Sequence, residues 1–140
     1  TLACPSYAYA AKGMTPDMYD WADAQSVSYS YQNQFGKDPM KIQKSPRMVV
    51  LADRNPRFIV SNGSRQQLIY LNRKPNSAPS LNHTDHGQNL LFADGSVWWA
   101  THPIINNGTG KGDNIWLADG VENYSGNETP SGDNDVFLVP

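Results

Sequence analysis

The sequence predicts a sheet-rich fold of short strands joined by long ordered loops. Three observations point there. Apolar residues make up 39% of the 140 residues and charged residues only 17%. Asn, Ser, Gly, Pro and Tyr fill the difference, a composition that suits turns and strands better than long amphipathic helices. Val27-Ser28-Tyr29-Ser30-Tyr31 alternates strictly between larger and smaller side chains, the period of a strand. Asp94-Gly95 separates two apolar segments, and Asp-Gly in that setting is a strong hairpin signal, because Gly takes positive φ at little cost.

The elements follow in chain order. Pro16 and the acids around it predict a short helix over residues 16–24. Residues 27–31 form a strand with Val27, Tyr29 and Tyr31 on one face. Residues 35–46 hold Gly36, Pro39 and Pro46 and read as a loop. Residues 47–53, "RMVVLAD", are a near-continuous apolar run and predict a buried central strand. It ends at Asn55-Pro56, since a residue before proline avoids the helical region. Residues 57–64 read as a strand or a loop edge, and residues 66–72 as a strand or one helical turn. In the Asp94-Gly95 hairpin, Leu90, Phe92, Val97 and Trp99 are expected on one inward face, with Leu91 and Trp98 on the other. Residues 115–120, "IWLADG", predict a short strand and a second Asp-Gly turn, and "VFLVP" a last strand.

Several function classes are disfavoured. The net charge is −2 and the basic residues are scattered, so no electrostatic footprint for nucleic acid exists. No apolar run approaches the roughly 20 residues that span a bilayer. Cys4 is the one cysteine, which excludes a disulfide within the chain and reads as a small buried thiol. Asn-x-Ser/Thr triplets begin at Asn62, Asn82, Asn107, Asn123 and Asn127 and hint at an exposed, glycosylated chain.

Two metal chemistries present themselves. His83, Asp85 and His86 offer imidazole and carboxylate within a few residues, but zinc wants a third or fourth ligand at helical or knuckle spacing, and none is evident. The alternative is that these side chains brace the hairpin that follows. Calcium wants six to eight oxygens on flexible loops. Asp113, Asn114, Asp119, Asp133 and Asp135, with Glu122 and Asn134 nearby, sit in Gly-rich segments that provide them. Their spacing is not that of an EF-hand. Gly-x-Ser-x-Gly and a phosphate-binding loop are both missing, and no catalytic residue is assigned.

The stretch "NHTDHGQNLLFADGSVWW", together with "CPS", "VSYSYQN", "ADRNP", "THP", "GDNIW" and "DVFLVP", resembles the prepilin-type proteins of planctomycetes named for a His-x9-Asp-Gly motif. In this chain the motif places His83, Asn89, Asp94 and Gly95 as its structural residues. Ten residues separate His83 from Asp94 and seven separate His86 from it, where the family name implies nine. The long hydrophobic helix that starts such proteins is not read here, so assembly through a helical spine is not carried over. The resemblance implies one pilin-like domain over residues 1–140, of the α+β class on an antiparallel sheet with few helices. It also implies a non-enzymatic, exported structural subunit, like the pseudopilins of type II secretion. The related major pseudopilins hold Ca2+ in a C-terminal loop, which adds interest to the acids above.

The aromatic residues sharpen the expectation. Tyr29, Tyr31, Trp98, Trp99 and Trp116 exceed what a small core readily buries, and aromatics are enriched at interfaces. A homo-oligomer or filament of identical subunits at the cell surface is expected, with no nucleic acid and no membrane span. The alternative is a secreted carbohydrate- or peptide-binding module that uses surface Trp and Tyr. A third reading is a metal-dependent enzyme at His83 and His86.

Overall fold

The computed structural model describes residues 4, 6, 26–34, 46–60, 68–70, 78–106, 110–121, 124–125, 127–132 and 134–140. The helix expected over residues 16–24 lies outside them. A five-stranded antiparallel sheet dominates, built from β1 (Tyr29–Gln32), β2 (Val49–Asp53), β5 (Gln88–Phe92), β6 (Val97–Ala100) and β9 (Leu138–Val139). Its strand order is β6-β5-β2-β1-β9. Two small ladders lie beside it in the chain: β3 (Phe58–Val60) with β4 (Leu68–Tyr70), and β7 (Ile104–Asn106) with β8 (Gly112–Asn114).

The apolar run 47–53 lies where its composition places it. β2 sits between β5 and β1, with Val49 and Ala52 buried. The ambiguous segment 66–72 resolves as a strand, because Leu68–Tyr70 pairs antiparallel with Phe58–Val60. The α+β, pilin-like expectation is overturned. Among the described residues no helix reaches seven residues, and helical structure is limited to a 3-10 turn over Leu81–His83. The described core is built without a helix. Ile115, Trp116, Val136 and Leu138, from loops and the chain end, join Met48, Val49, Ala52, Leu90 and Phe92 of the sheet in one buried cluster. A second cluster holds Phe58, Ala118 and Phe137.

Polar side chains stand in for backbone partners throughout this core. Of β1, the residues that turn inward are Ser30 and Gln32, preceded by Ser28, while Tyr31 is exposed. The Ser28 hydroxyl accepts from the Cys4 amide and the Ser30 hydroxyl from the Asn55 amide, both at 2.8 Å. Gln32 accepts from the Phe137 amide and donates to the Asp135 carbonyl, which fixes the C-terminal segment to β1. Asn55, fully buried, donates to the carbonyls of Leu138 (2.8 Å) and Trp116 (3.3 Å) and accepts from the Arg57 amide. Loops can enter the interior because these amides and hydroxyls satisfy their backbone groups.

The hairpin forms at Asp94-Gly95, with a parity opposite to the expected one. Leu90 pairs with Trp98, Leu91 with Val97 and Asn89 with Trp99. Trp98 therefore shares the face of Leu90, and Val97 and Trp99 share the face of Leu91. The cause is loop length. The Phe92 amide donates to the Ser96 carbonyl, leaving the three-residue loop Ala93-Asp94-Gly95, with Gly95 at φ 84°. The expected faces presuppose a two-residue loop, and one residue more exchanges the faces of one strand relative to the other. The strand expected over residues 115–120 is also displaced. It ends at Asn114, whose side chain accepts from the Trp116 amide and whose carbonyl accepts from the Leu117 amide, closing a turn. The Asp119-Gly120 turn does form, closed by the Val121 amide on the Ala118 carbonyl, with Gly120 at φ 76°.

Candidate metal centres and an exposed sheet edge

The expected trio His83, Asp85 and His86 does not assemble. After the 3-10 turn, Thr84 and Asp85 both adopt left-handed backbone, at φ 54° and 63°. That conformation is costly for a β-branched residue. The double reversal leaves Asp85 and His86 exposed, and His86 Nδ1 bonds to Thr84 in its own loop. His83 turns the other way. Its Nε2 lies 3.1 Å from Oδ2 of the fully buried Asp53, and its ring meets Trp99 edge-on at 5.1 Å. This histidine does brace the start of the hairpin.

Around Asp53 the polar packing is dense. Oδ1 accepts from the Asn82 amide group at 3.1 Å. Oδ2 accepts from the Asn89 backbone amide at 2.6 Å and from its side chain at 3.2 Å. Cys4 Sγ stands 3.9 Å from the same His83 Nε2. The thiol, the carboxylate and the imidazole offer ligand atoms that all lie within 4.8 Å of one another. The Tyr29 hydroxyl adjoins this cluster, and its pKa is raised, first by burial and then by the nearby Cys4 and Asp53. Gly87 closes the other side: a Cβ there would stand 2.6 Å from the Trp99 ring and 2.7 Å from the Ala100 carbonyl. Sequence reasoning missed Cys4 and Asp53 as partners of His83. They lie 79 and 30 residues away from it in the chain, so no spacing rule connects them.

Of the five residues expected to hold calcium, three converge. Asp113, Asp119 and Asp135 present carboxylate oxygens within 4.8 Å of one another. Asp113 comes from β8, Asp119 from the Asp-Gly turn and Asp135 from the segment leading to β9. One oxygen of each buried acid is held by the backbone. Asp113 Oδ2 accepts from the Val136 amide at 2.8 Å, and Asp135 Oδ2 accepts from the Ser131 and Asp119 amides at 2.6 and 2.9 Å. The other oxygen of each, Asp113 Oδ1 and Asp135 Oδ1, is buried without a hydrogen-bond partner. Burial, reinforced by the charges of Asp135 and Asp119, pushes Asp113 up to about 7, and burial also raises Asp135. An open depression of about 260 Å³ lined by Asn114, Asp119 and Gly120 adjoins them. Asn114 spends its side-chain oxygen on the Trp116 amide, and Asp133 lies outside the described residues.

The aromatic set divides. Trp116 is 1% exposed, with its indole N–H on the Ala78 carbonyl, so it belongs to the core and not to a surface. Tyr29 is half-buried and Tyr31 exposed. Trp98 and Trp99 remain 55% and 51% exposed, beside Val97 at 62%. All three lie on β6, at the sheet's edge. Trp98 packs on Phe92 at 5.2 Å and under the Arg47 guanidinium at 5.9 Å. It lines a groove of about 260 Å³ with Arg47, Phe92, Ala100 and Ile104. Asp94 is exposed, and the Ser96 hydroxyl and amide that bond to it hold its carboxyl below the usual range. Asn82 is 1% exposed, which removes the triplet beginning there from any glycosylation of the folded chain.

Among the described residues no helix is long and apolar enough to cross a membrane. No known protein family matches the chain, and no curated protein or solved structure is significantly similar to it, so the resemblance to prepilin-type proteins rests on the motifs themselves.

Proposed function

We propose that this chain is a non-enzymatic, exported structural subunit that assembles with copies of itself through the β6 edge. The observation that carries this reading is the edge strand itself. Val97, Trp98 and Trp99 are each more than half exposed on a strand whose outer side has no partner among the described residues. Sheet edges in monomers are commonly blunted by charge or proline, and β6 carries neither over its four residues. A net charge of −2 offers little repulsion between copies. Assembly of this kind needs no helical spine. Hydrogen exchange tests it locally: the β6 amides that point away from β5 exchange fast in dilute solution and slow down with rising protein concentration. Fast exchange at every concentration contradicts an edge-to-edge contact.

A hard divalent cation, Ca2+ by ligand chemistry, completes this picture by locking the C-terminal segment. Three carboxylates and two orphaned buried oxygens support it. Ca2+ at 100 times its Kd stabilises the chain by about 2.7 kcal/mol. An unchanged Tm on adding a chelator counts against the cation.

The groove beside Trp98 favours one second reading, a sugar- or peptide-binding module. Glycan or peptide binding that survives Trp98→Ala unchanged rules it out.

A further inference from the structure

We propose that Cys4, Asp53 and His83 form a binding site for a borderline divalent transition metal, Zn2+ by its ligand set, separate from the acidic cluster. The geometry carries the inference. His83 Nε2 faces Asp53 Oδ2 at 3.1 Å and Cys4 Sγ at 3.9 Å. One imidazole nitrogen carries either one proton or one lone pair, so it cannot form full hydrogen bonds with the carboxylate and the thiol at once, and Asn89 Nδ2 at 3.2 Å competes for it as well. A metal ion satisfies both together. With zinc–ligand distances of about 2.0–2.3 Å at tetrahedral angles, N···O and N···S separations are roughly 3.4 and 3.6 Å. The observed pair brackets those values, so small side-chain shifts bring the three ligands to a common centre. Thiolate, imidazole and carboxylate together suit zinc and exclude calcium or magnesium as the preferred ion.

The surroundings fit as well. Asn89 donates twice to the liganding oxygen of Asp53, and Asn82 holds the other oxygen. Such outer partners orient ligands and tune metal affinity. Cys4 and Asp53 are buried, while the His83 side chain is 21% exposed and gives the ion a path from solvent. Three protein ligands leave a fourth position on that side for water or an exchangeable group.

Cobalt(II) titration of the full chain under thiol-reducing conditions tests this directly. The expected result is one equivalent of Co2+ with tetrahedral visible bands and a thiolate-to-metal charge-transfer band in the near ultraviolet, both displaced by Zn2+. An oxygen-only site at Asp113, Asp119 and Asp135 has no thiolate and cannot give that band, so the two sites are read separately. Cys4→Ser abolishes the band, and Asn89→Ala, which keeps all three ligands, weakens zinc binding about 10- to 100-fold. The wild-type spectrum decides even where a variant folds poorly. Absence of the charge-transfer band with saturating Co2+, or a band unchanged in Cys4→Ser, overturns the proposal.

Discussion

Single residues in this chain are used as backbone substitutes, and that role is hard to see in a sequence. Asn55 looks like an ordinary loop residue before a proline. In the fold it ties β2 to Trp116 and to β9 at once. Asn55→Ala leaves two carbonyls and the Arg57 amide without their buried partner and is expected to cost about 2–4 kcal/mol in denaturant melts. The acids were more legible. Asp113, Asp119 and Asp135 stand out as oxygen donors in Gly-rich segments, but only the fold singles them out from Asn114. Their electrostatics give a signed prediction. Asp113 titrates near 7 in the native state against an ordinary 3.8, so the native state holds a proton that the unfolded chain has lost between those values. The stability from this proton is complete below about pH 4 and lost as pH rises to about 7, up to about 4 kcal/mol at the outside. In chelator, Tm therefore falls between pH 5 and pH 8, and Asp113→Asn, which cannot ionise, flattens that fall. A Tm that rises over this range in chelator contradicts the buried, ion-free cluster. His83 lies between these cases: its role as a brace was legible from its place before the hairpin, its partners Cys4 and Asp53 were not.

Elements were legible where side-chain period or turn chemistry decides them, and illegible where one residue of loop length does. The 47–53 run, the Asp94-Gly95 turn and the C-terminal strand all form. The faces of the hairpin exchanged because the loop holds three residues. The expected strand over residues 115–120 gave way to a turn because Asn114 captures the Trp116 amide. The cover on the sheet was illegible for the same kind of reason. The inner face of the sheet is covered by Ile115, Trp116 and Val136, which carry no 3.6-residue period to be noticed. The packing between strand start and edge is tight enough to test. Gly87 sits at φ 155° with the Trp99 ring and a backbone carbonyl where a Cβ would be. Gly87→Ala is expected to cost about 1–3 kcal/mol and to shift Trp99 fluorescence, whereas Gly132→Ala, with open space around it, leaves Tm within about 1 °C. Equal effects from the two substitutions contradict the close approach.

Across the described part of the molecule, the loops and the chain end supply the interior, while two tryptophans stay outside at one sheet edge and Tyr31 stays outside on β1. Five aromatic residues stood out in the sequence, but their number did not say which of them the core takes. Trp116 went inside because its indole N–H reaches a carbonyl there, while Trp98 and Trp99 stayed on β6. Charge at that edge should matter most: Val97→Lys adds a charge to the edge strand without removing a core contact, since Val97 is 62% exposed. Sedimentation velocity of the wild-type chain beside Val97→Lys reads self-association through β6. Concentration-dependent species larger than a 15.5 kDa monomer are expected for the wild type, with a shift toward monomer for Val97→Lys. A wild-type chain that sediments only as monomer at high concentration, or a Val97→Lys chain that assembles equally well, contradicts it.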